Sequence, residues 1–204
     1  TRAALQAGKA LRYDNAGTVE FLYAGPGTFY FLEVNTRLQV EHPVTEAILG
    51  VDLVEWQIRI AAGEPLAFRQ EDLRPQGYAV EFRLYAEDPQ DGFRPSTGRI
   101  VAWQVPDLPY LRVDAGIEAG SEVSPHYDPL LAKIIVWGSH RKEALRRAAY
   151  ALSHLQCLGL AHNLPFLQAL CEDPDFQAGR YDTQFLSRRQ DLLQAAPPPV
   201  SYTH

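Results

Sequence analysis

The amino-acid sequence predicts an α+β protein. Segments of helical composition occur near both ends of the chain, and shorter segments between them alternate apolar and polar residues with the period of two that is typical of β-strands. Turns that contain glycine and proline separate these strand segments. We therefore expect mostly antiparallel sheets with helices packed against them.

The first elements predicted are a helix and a β-hairpin. Arg2–Leu11 has a helical composition, and the turn-forming residues 14–17 end it. Residues 18–23 and 28–34 are rich in aromatic and branched side chains. The Ala-Gly-Pro-Gly turn between them, at residues 24–27, predicts that the two segments pair as a hairpin.

Two short helices are predicted after the hairpin. Pro43 suits the first turn of a helix, and Gly50 suits its end. Asp52 resembles the N-cap of a second helix, because Glu55 follows three residues later, as in a capping box. Gly63 is the predicted end of that helix.

A second domain is predicted beyond a polar, proline-containing connection. Residues 79–87 alternate again, with apolar side chains on one face and charged or aromatic ones on the other. Further strands are predicted at 99–105, 111–113 and 132–137, and helices at 141–155 and 164–171. The predicted division of the chain is 1–63 for the first domain, 64–77 for the connection, 78–188 for the second domain and 189–204 for a mobile tail.

Composition excludes several classes of function. The 204 residues carry a net charge of −6 and no long basic run, so a nucleic-acid partner is not expected. No apolar stretch approaches the roughly 18 residues that span a bilayer, so we expect no membrane partner and a location in the cytoplasm, or in the mitochondrial matrix in a eukaryote. Cys157 and Cys171 are predicted to lie in helical sequence as buried or half-buried thiols. The absence of methionine indicates that this numbering begins inside a longer gene product.

A row of polar residues is the strongest candidate for a site. The alternation continues beyond the hairpin, so Glu33, Asn35, Arg37, Gln39 and Glu41 share one face. If Tyr23 lies opposite Thr28, Glu20 lies diagonal to Glu33 on that face, about 7–8 Å away. Facing carboxylates repel unless a proton or cation lies between them, and Mg²⁺ or Mn²⁺ accepts such oxygen ligands. On spacing alone, a solvated sheet face explains the pattern better than a metal site does.

An anion site beside the carboxylates is the second prediction from this row. The planar fork of Arg37 matches a carboxylate or bicarbonate with two parallel hydrogen bonds. Glu41 would then lie within range to accept a proton, although histidine is the more usual general base. For the neighbouring His42, a structural role in the turn before Pro43 is the better interpretation.

Three stretches carry a family resemblance. FYFLEVNTRLQVEHPVTEAILGVDLVEWQIRIAAGEPL is similar to the signature of biotin carboxylases, the ATP-grasp component of biotin-dependent carboxylases. AVEFRLYAEDP and GIEAGSEVSPHYDPLLAKIIVWG resemble the C-terminal domain of that family, in the same order, and the likeness extends from about Arg2 to Leu186. It implies the C-terminal part of an ATP-grasp domain followed by the biotin carboxylase C-terminal domain. The implied reaction forms carboxyphosphate from Mg-ATP and bicarbonate and transfers its CO₂ to N1 of a protein-tethered biotin.

The resemblance implies roles around the nucleotide. Glu20 and Glu33 match the metal-binding glutamates of the family, and Asn35 matches its metal-site asparagine, so that two Mg²⁺ or Mn²⁺ ions bridge the ATP phosphates. Leu22 and Thr183 match positions that touch the adenine.

The resemblance also implies the catalytic residues. Arg37 matches the arginine that holds bicarbonate, together with Gln39 and the backbone of Val40. Glu41 matches the base that deprotonates bicarbonate. Arg83 matches the arginine that stabilises the enolate-like oxygen of biotin, although an arginine on a strand beside Glu81 is, taken alone, more often a surface ion pair.

Other charged residues are predicted to be structural. His126, Tyr127, Asp128 and Lys133 lie where the family has domain framework. The basic residues of the helix predicted at 141–155 are expected on a solvated face; they are Arg141, Lys142, Arg146 and Arg147.

The resemblance further implies that the chain is incomplete as an enzyme. The chain contains no glycine-rich phosphate loop. In the family, that loop belongs to an N-terminal half and lid that precede this segment. A biotin carboxyl carrier domain or subunit, a carboxyltransferase component and a second copy of the chain are the expected partners. The carboxyltransferase determines the final acceptor, which the sequence does not identify among acetyl-CoA, propionyl-CoA, methylcrotonyl-CoA, pyruvate and urea. A non-catalytic module for dimerisation or carrier docking is the alternative, and the intact set of charged residues favours the enzyme.

Overall fold

The computed structural model describes residues 2–194, which form helices and mainly antiparallel strands. The helices are α1 (Arg2–Leu11), α2 (His42–Leu49), α3 (Leu53–Ala61), α4 (Arg141–His154), α5 (Leu164–Glu172), α6 (Pro174–Ala178) and α7 (Phe185–Arg188), with 3₁₀ helices at Pro89–Asp91 and Gln190–Gln194. The strands are β1 (Thr18–Gly25), β2 (Thr28–Asn35), β3 (Tyr78–Tyr85), β4 (Glu87–Asp88), β5 (Arg94–Pro95), β6 (Gly98–Arg99), β7 (Ala102–Gln104), β8 (Leu111–Ala115), β9 (Glu122–Val123), β10 (Leu130–Gly138) and β11 (Gln156–Leu158). The predicted α+β class is confirmed.

The described residues divide into two compact units at Gln76 and Gly77. In the first unit, the turn chemistry predicted from the sequence forms: Gly50 takes a left-handed conformation with φ of 67° at the end of α2. Asp52 caps α3, because its carboxylate accepts a hydrogen bond from the amide of Glu55 at 2.8 Å. Every helix in the described part of the chain is too short or too polar to cross a membrane.

The pairing of β1 with β2 differs from the expected register. Tyr23 lies opposite Phe29, not Thr28, and Glu20 lies directly opposite Glu33. Irregularities between Glu20 and Phe21 and between Tyr23 and Gly25 shift the pairing. The expected register is displaced at the turn, because Gly25 and not Tyr23 lies opposite Thr28, and each bulge then displaces it again by inserting a residue in one strand. The expectation of diagonal carboxylates is therefore corrected to directly facing carboxylates.

The second unit is built around a three-stranded antiparallel sheet. Its strand order is β3-β10-β8, so β10 lies in the centre and β3 lies at an edge. Residues of β10 such as Ile134 and Val136 are fully buried, and Ala148 and Leu152 of α4 belong to the same core. The core thus holds one face of the sheet against α4 and α5, which fixes the position of β3.

The two cysteines lie in this core, but in different kinds of element. Cys157 lies in β11, so its predicted helical setting is wrong, whereas Cys171 lies in α5 as predicted. The prediction of buried thiols is confirmed for both. Burial raises the pKa of Cys157 to about 11 and that of Cys171 to about 12. Both thiols therefore stay protonated and unreactive at neutral pH.

Two arginines of α4 anchor neighbouring segments and do not lie on a simple solvated face. Arg141 donates from Nη2 to the carbonyl oxygen of Phe176 at 2.7 Å, and its guanidinium lies 5.9 Å from the ring centre of Tyr181. Arg147 donates to the carbonyl oxygen of Trp137 at 3.0 Å. The expectation of a solvated face is corrected for these two residues, because the sequence does not show which carbonyl groups approach the helix.

Ordered packing continues past residue 188, where the sequence predicts that the second domain ends. The mobile tail predicted from residue 189 overlaps the 3₁₀ helix Gln190–Gln194, whose Leu192 is buried in the core. Arg189 also pairs with Asp173. Residues 195–204 of the predicted tail lie outside the described residues.

Acid is expected to weaken the fold through His162. Its Nε2 lies 2.7 Å from the carbonyl oxygen of Cys157, while Nδ1 accepts from the amide of Leu164 at 3.3 Å, so the half-buried ring is held in its neutral form. Burial lowers the pKa of His162 below its usual 6.5. The unfolded chain therefore binds a proton before the folded chain does, and the stability that this residue contributes above pH 6.5 is lost as the pH falls through the folded pKa.

The free energy of unfolding in urea, measured at pH 7.5 and pH 5.0, tests this expectation. Glutamine at this position keeps a hydrogen-bond donor but cannot take up a proton. The free energy of unfolding of the His162→Gln variant should therefore decrease less on acidification than that of the unmodified chain. The matched control is His154→Gln, which replaces an exposed histidine. An equal decrease in all three proteins would contradict the assignment to His162.

Candidate active site

Two facing carboxylates and an amide form the centre of the candidate site in the first unit. The β1–β2 pairing places Glu20 opposite Glu33 on the same face of the hairpin. Asn35, the last residue of β2, donates from Nδ2 to Oε1 of Glu20 at 2.7 Å and to Oε1 of Glu33 at 3.2 Å. The partly positive amide group thus lies between two anions that would otherwise repel each other.

The segment after β2 brings further polar groups to this centre. β2 ends at Asn35, so the polar alternation beyond it belongs to a loop and not to an extended strand. Gln39 donates from Nε2 to Oε1 of Glu20 at 3.2 Å. The guanidinium of Arg37 lies 3.5 Å from Oδ1 of Asn35 and donates to the carbonyl oxygen of Leu38 at 3.3 Å. The loop therefore gathers the amide and the guanidinium beside the carboxylates.

The next turn orients Glu41 and His42. Glu41 occupies the N-cap position of α2, where the helix dipole favours a negative charge. Nδ1 of His42 lies 2.8 Å from the carbonyl oxygen of Gln39, and Nε2 lies 3.9 Å from Glu46. These contacts bind His42 into the turn and support the structural interpretation made from the sequence.

The donor set suits a hard cation that also binds phosphate. Glu20, Glu33 and Asn35 supply two carboxylates and, when the amide is turned, one amide oxygen. Among the described residues, no group of three or more His, Cys, Asp or Glu side chains is placed to hold a metal ion by itself. Mg²⁺ is usually bound through one or two carboxylates and completed by substrate phosphates and water, so this incomplete set fits it.

Arg83 lies in the second unit, on β3. Its Nε is 3.9 Å from Oε1 of Glu81, and its side chain is 40% exposed. Across the sheet, Arg83 lies opposite Lys133, whose Nζ is 3.5 Å from Oδ2 of Asp114. Burial alone would raise the pKa of Asp114, but the cations of Arg112 and Lys133 outweigh it and hold that pKa below its usual value. Arg83 therefore belongs to a charged sheet face with both signs present.

The two predicted adenine contacts are exposed, one in each unit. Leu22 lies on β1 opposite Tyr30 and is exposed. Thr183 lies in a turn before α7, next to Asp182, which pairs with Arg188 at 2.8 Å. Their exposure leaves both side chains available to a ligand.

Asn163 is a polar residue that sequence reasoning missed. It is buried and bonds to the backbone of Arg83 and Tyr85 on β3. The one signal for it in the sequence is an asparagine just before a proline-initiated helix, which is typical of an ordinary N-cap.

Comparison with known proteins decides the family. Residues 1–69 match the family described as carbamoyl-phosphate synthase L chain, ATP binding domain. Residues 81–188 match the biotin carboxylase C-terminal domain, and this match covers just over half of the chain. The chain belongs to the biotin carboxylase family. The resemblance identified from the sequence motifs is therefore confirmed.

Curated relatives of this biotin carboxylase chain are much longer than it is. Methylcrotonoyl-CoA carboxylase subunit alpha, mitochondrial, of Mus musculus is 49% identical over 193 residues, which cover 94% of the chain and 27% of the relative. Propionyl-CoA carboxylase alpha chain, mitochondrial, of Homo sapiens is 51% identical over 181 residues, which cover 88% of the chain and 25% of the relative. The chain thus spans about a quarter of the length of these relatives.

Solved biotin carboxylases have the same fold over nearly the whole chain. The dimeric biotin carboxylase domain of Hydrogenobacter thermophilus 2-oxoglutarate carboxylase, in complex with MgADP, ADP and bicarbonate, superposes with a TM-score of 0.91 at 44% identity. The alignment covers 95% of this chain and 43% of that one. The biotin carboxylase subunit of pyruvate carboxylase gives a TM-score of 0.92 at 41% identity, with 96% and 44% covered.

Proposed function

We propose that this chain forms the metal- and bicarbonate-binding wall of a biotin carboxylase active site within a longer parent protein. The observation that carries the proposal is the cluster at the end of β2, where Asn35 joins Glu20 and Glu33 and Arg37 lies beside it. On a solvated sheet face, water would bind the carboxylates, and an amide shared by two facing carboxylates would not be required. The family membership and the match to the solved domains over nearly the whole chain support the same function.

Glu20, Glu33 and Asn35 would hold Mg²⁺ or Mn²⁺, with two ions in the complete enzyme. The bound ions would offset the charge of the ATP phosphates during phosphoryl transfer. The facing carboxylates would attract the cations to the hairpin, and Gln39, which also contacts Glu20, restricts the position of that carboxylate. Leu22 and Thr183 would contact the adenine, since both side chains are exposed and apolar in part.

Arg37 and Glu41 would bind and activate bicarbonate. The guanidinium of Arg37 presents parallel N–H groups to the anion, and Gln39 and the backbone of Val40 complete its hydrogen bonds. The carboxylate of Glu41 would then accept the proton of bicarbonate. The resulting dianion is the better nucleophile toward the γ-phosphorus of ATP, and its attack would break the bond from that phosphorus to the bridging oxygen, which releases ADP and leaves carboxyphosphate.

Arg83 would act on the second substrate. When N1 of the tethered biotin loses its proton, negative charge develops on the ureido oxygen, and a guanidinium directed at that oxygen stabilises it. The side chain of Arg83 is exposed enough to reach a ligand, while the nearby carboxylate of Glu81 limits its range of positions. Cleavage of the C–O bond of carboxyphosphate would release CO₂ and phosphate; the phosphate would accept the proton of N1, and N1 would then bond to the carbon of CO₂.

The exposed surface of the β1–β2 hairpin supports the proposal that this chain is part of a larger parent protein. Aromatic residues of β1 and β2 such as Tyr23, Phe29, Tyr30 and Phe31 are each at least half exposed, which is unusual for a folded monomer. We propose that the N-terminal half of the parent covers this surface and supplies the phosphate-binding lid. The carrier domain that bears biotin, a carboxyltransferase component and a second protomer are the remaining partners. The dimeric state of a solved relative supports the last of these, and the mitochondrial relatives support a matrix location in a eukaryote.

Bicarbonate-dependent ATP cleavage tests the proposal. The parent chain, purified with its own N-terminal half, should hydrolyse Mg-ATP faster when bicarbonate is added, and should form carboxybiotin when free biotin is also present. The chain of 204 residues alone should do neither. A folded parent whose ATP cleavage is indifferent to both additions would contradict the enzyme and favour the non-catalytic docking module.

A further inference from the structure

The side chain of Asn163 binds the backbone of a neighbouring strand instead of capping its own helix. Asn163 occupies the N-cap position of α5, yet its side chain makes no capping hydrogen bond. It is only 5% exposed. A buried amide must find partners elsewhere, since an unsatisfied one costs roughly 1–3 kcal/mol.

Those partners are the outer edge of β3 at Arg83 and Tyr85. Nδ2 of Asn163 donates to the carbonyl oxygen of Arg83 at 3.1 Å, and Oδ1 accepts from the amide of Tyr85 at 2.9 Å. The backbone amide of Asn163 also donates to the carbonyl oxygen of Tyr85 at 3.1 Å. The orientation of the side-chain amide is determined by these bonds, because a flipped amide would place N–H against N–H and oxygen against oxygen.

Asn163 therefore takes the place of a missing strand beside β3. β3 pairs with β10 on its inner side and is the edge of the sheet on the other side. An edge strand is held by one ladder only and moves more readily than a central strand. The three hydrogen bonds that Asn163 makes with Arg83 and Tyr85 supply the second attachment, on both sides of Leu84.

The pairing of β3 with β10 brings Arg83 close to a like charge. Because its carbonyl group points to the outer edge, Arg83 and Lys133 form a pair that exchanges no backbone hydrogen bonds, the kind in which Cα atoms approach to about 4.5 Å. Their like charges lie on the same face of the sheet and repel. Glu81 and Asp114 lie 3.9 Å and 3.5 Å from the two cations and counter this repulsion.

We propose that Asn163 is a positioning residue for Arg83. It fixes the backbone of β3 so that the guanidinium meets the ureido oxygen of biotin at the distance that proton loss from N1 requires. This inference rests on the role of Arg83 in the proposed function. A displacement of about 1 Å at a reacting group can cost roughly 100-fold in rate, so a backbone contact of this kind has a measurable effect on catalysis.

The test separates the two halves of the reaction in the complete parent chain. Asn163→Asp keeps the shape of the side chain and the acceptor for the amide of Tyr85, but an ionised aspartate cannot donate to the carbonyl oxygen of Arg83. If this charged variant does not fold, the neutral variant Asn163→Ala is used instead. Both should leave bicarbonate-dependent ATP cleavage within about twofold. Carboxybiotin formed per ATP cleaved should fall at least about tenfold, because Arg83 is displaced from biotin only.

The matched control is Asp173→Asn. Asp173 is buried at the other end of α5, and its carboxylate bonds to the amide of Phe176 and to Arg189, both of which lie outside β3. The control should lower stability without changing the yield of carboxybiotin per ATP. An equal loss of both activities in the Asn163 variants, or no loss in either, would overturn the positioning role. An unmodified parent without bicarbonate-dependent ATP cleavage would overturn the proposed function itself, before any substitution is made.

Discussion

Arg37→Ala in the complete parent chain is expected to lower carboxybiotin formation by roughly 100- to 1,000-fold. The guanidinium lies beside the residues proposed to hold the metal and can bind bicarbonate with two parallel hydrogen bonds, which alanine could not form. Arg37→Lys should recover little of the activity, because a single ammonium group does not reproduce the planar fork. Rates at saturating ATP, with bicarbonate varied, measure both effects.

The same substitution should change stability little. Arg37 is exposed, and it meets its neighbours through the long contact to Asn35 and the bond to the Leu38 carbonyl oxygen. Exposed substitutions of this kind usually stay within about 0.5 kcal/mol. Arg69→Ala removes an arginine that pairs with Glu71 at 3.8 Å on the surface of the same unit and is the control for charge. A large decrease in melting temperature with retained carboxylation would mean that Arg37 is structural.

Gly159→Ala is expected to destabilise the second unit by at least about 3 kcal/mol. Gly159 has a φ of +124°, which side chains rarely adopt. A Cβ atom there would overlap the carbonyl oxygen of Arg99 and would lie 2.8 Å from the amide nitrogen of Val101. Both obstacles are backbone atoms, so no side chain can turn away, and the amide of Val101 would also lose its bond to Leu158.

Urea unfolding of the chain measures this effect. Gly116→Ala is the matched control, since its new Cβ would have no neighbour closer than the carbonyl oxygen of Leu131 at 4.0 Å and its backbone is not in the left-handed region. It should change the free energy of unfolding by less than about 1 kcal/mol. Similar losses in the two variants would show that the close approach at residue 159 relaxes at little cost. Gly159 also begins the loop that delivers Asn163 to β3, so its variant should show part of the catalytic defect predicted for Asn163.

Local chemistry explains where sequence reasoning succeeds. Gly50, Asp52 and Pro43 determine helix ends through contacts within a few residues, and α2 and α3 begin and end close to the predicted positions. The alternation in residues 79–87 predicts β3 within two residues of its bounds. The motif around residues 33–46 is specific enough to identify the family without any knowledge of the fold.

Longer-range chemistry explains where it fails. The direct pairing of Glu20 with Glu33 depends on a bulge whose position no local pattern reveals. The sequence around Cys157 favours a helix, but this segment forms the three-residue strand β11. Such a short strand forms only through its pairing with β7, which the local sequence does not show. Arg141 and Arg147 have the spacing of solvated residues, although each meets a backbone carbonyl group from another element.

The sequence by itself determined the family, the α+β class and the identity of the residues proposed to act: Glu20, Glu33, Asn35, Arg37, Gln39, Glu41 and Arg83. These are properties of residue type and spacing along the chain, which a motif records directly. Only the tertiary structure decided that Asn35 joins the two glutamates and that Asn163 holds the strand of Arg83. The first contact joins residues 15 positions apart and the second joins residues 80 positions apart, and such contacts form because the pairing of strands and the burial of the core bring distant segments together.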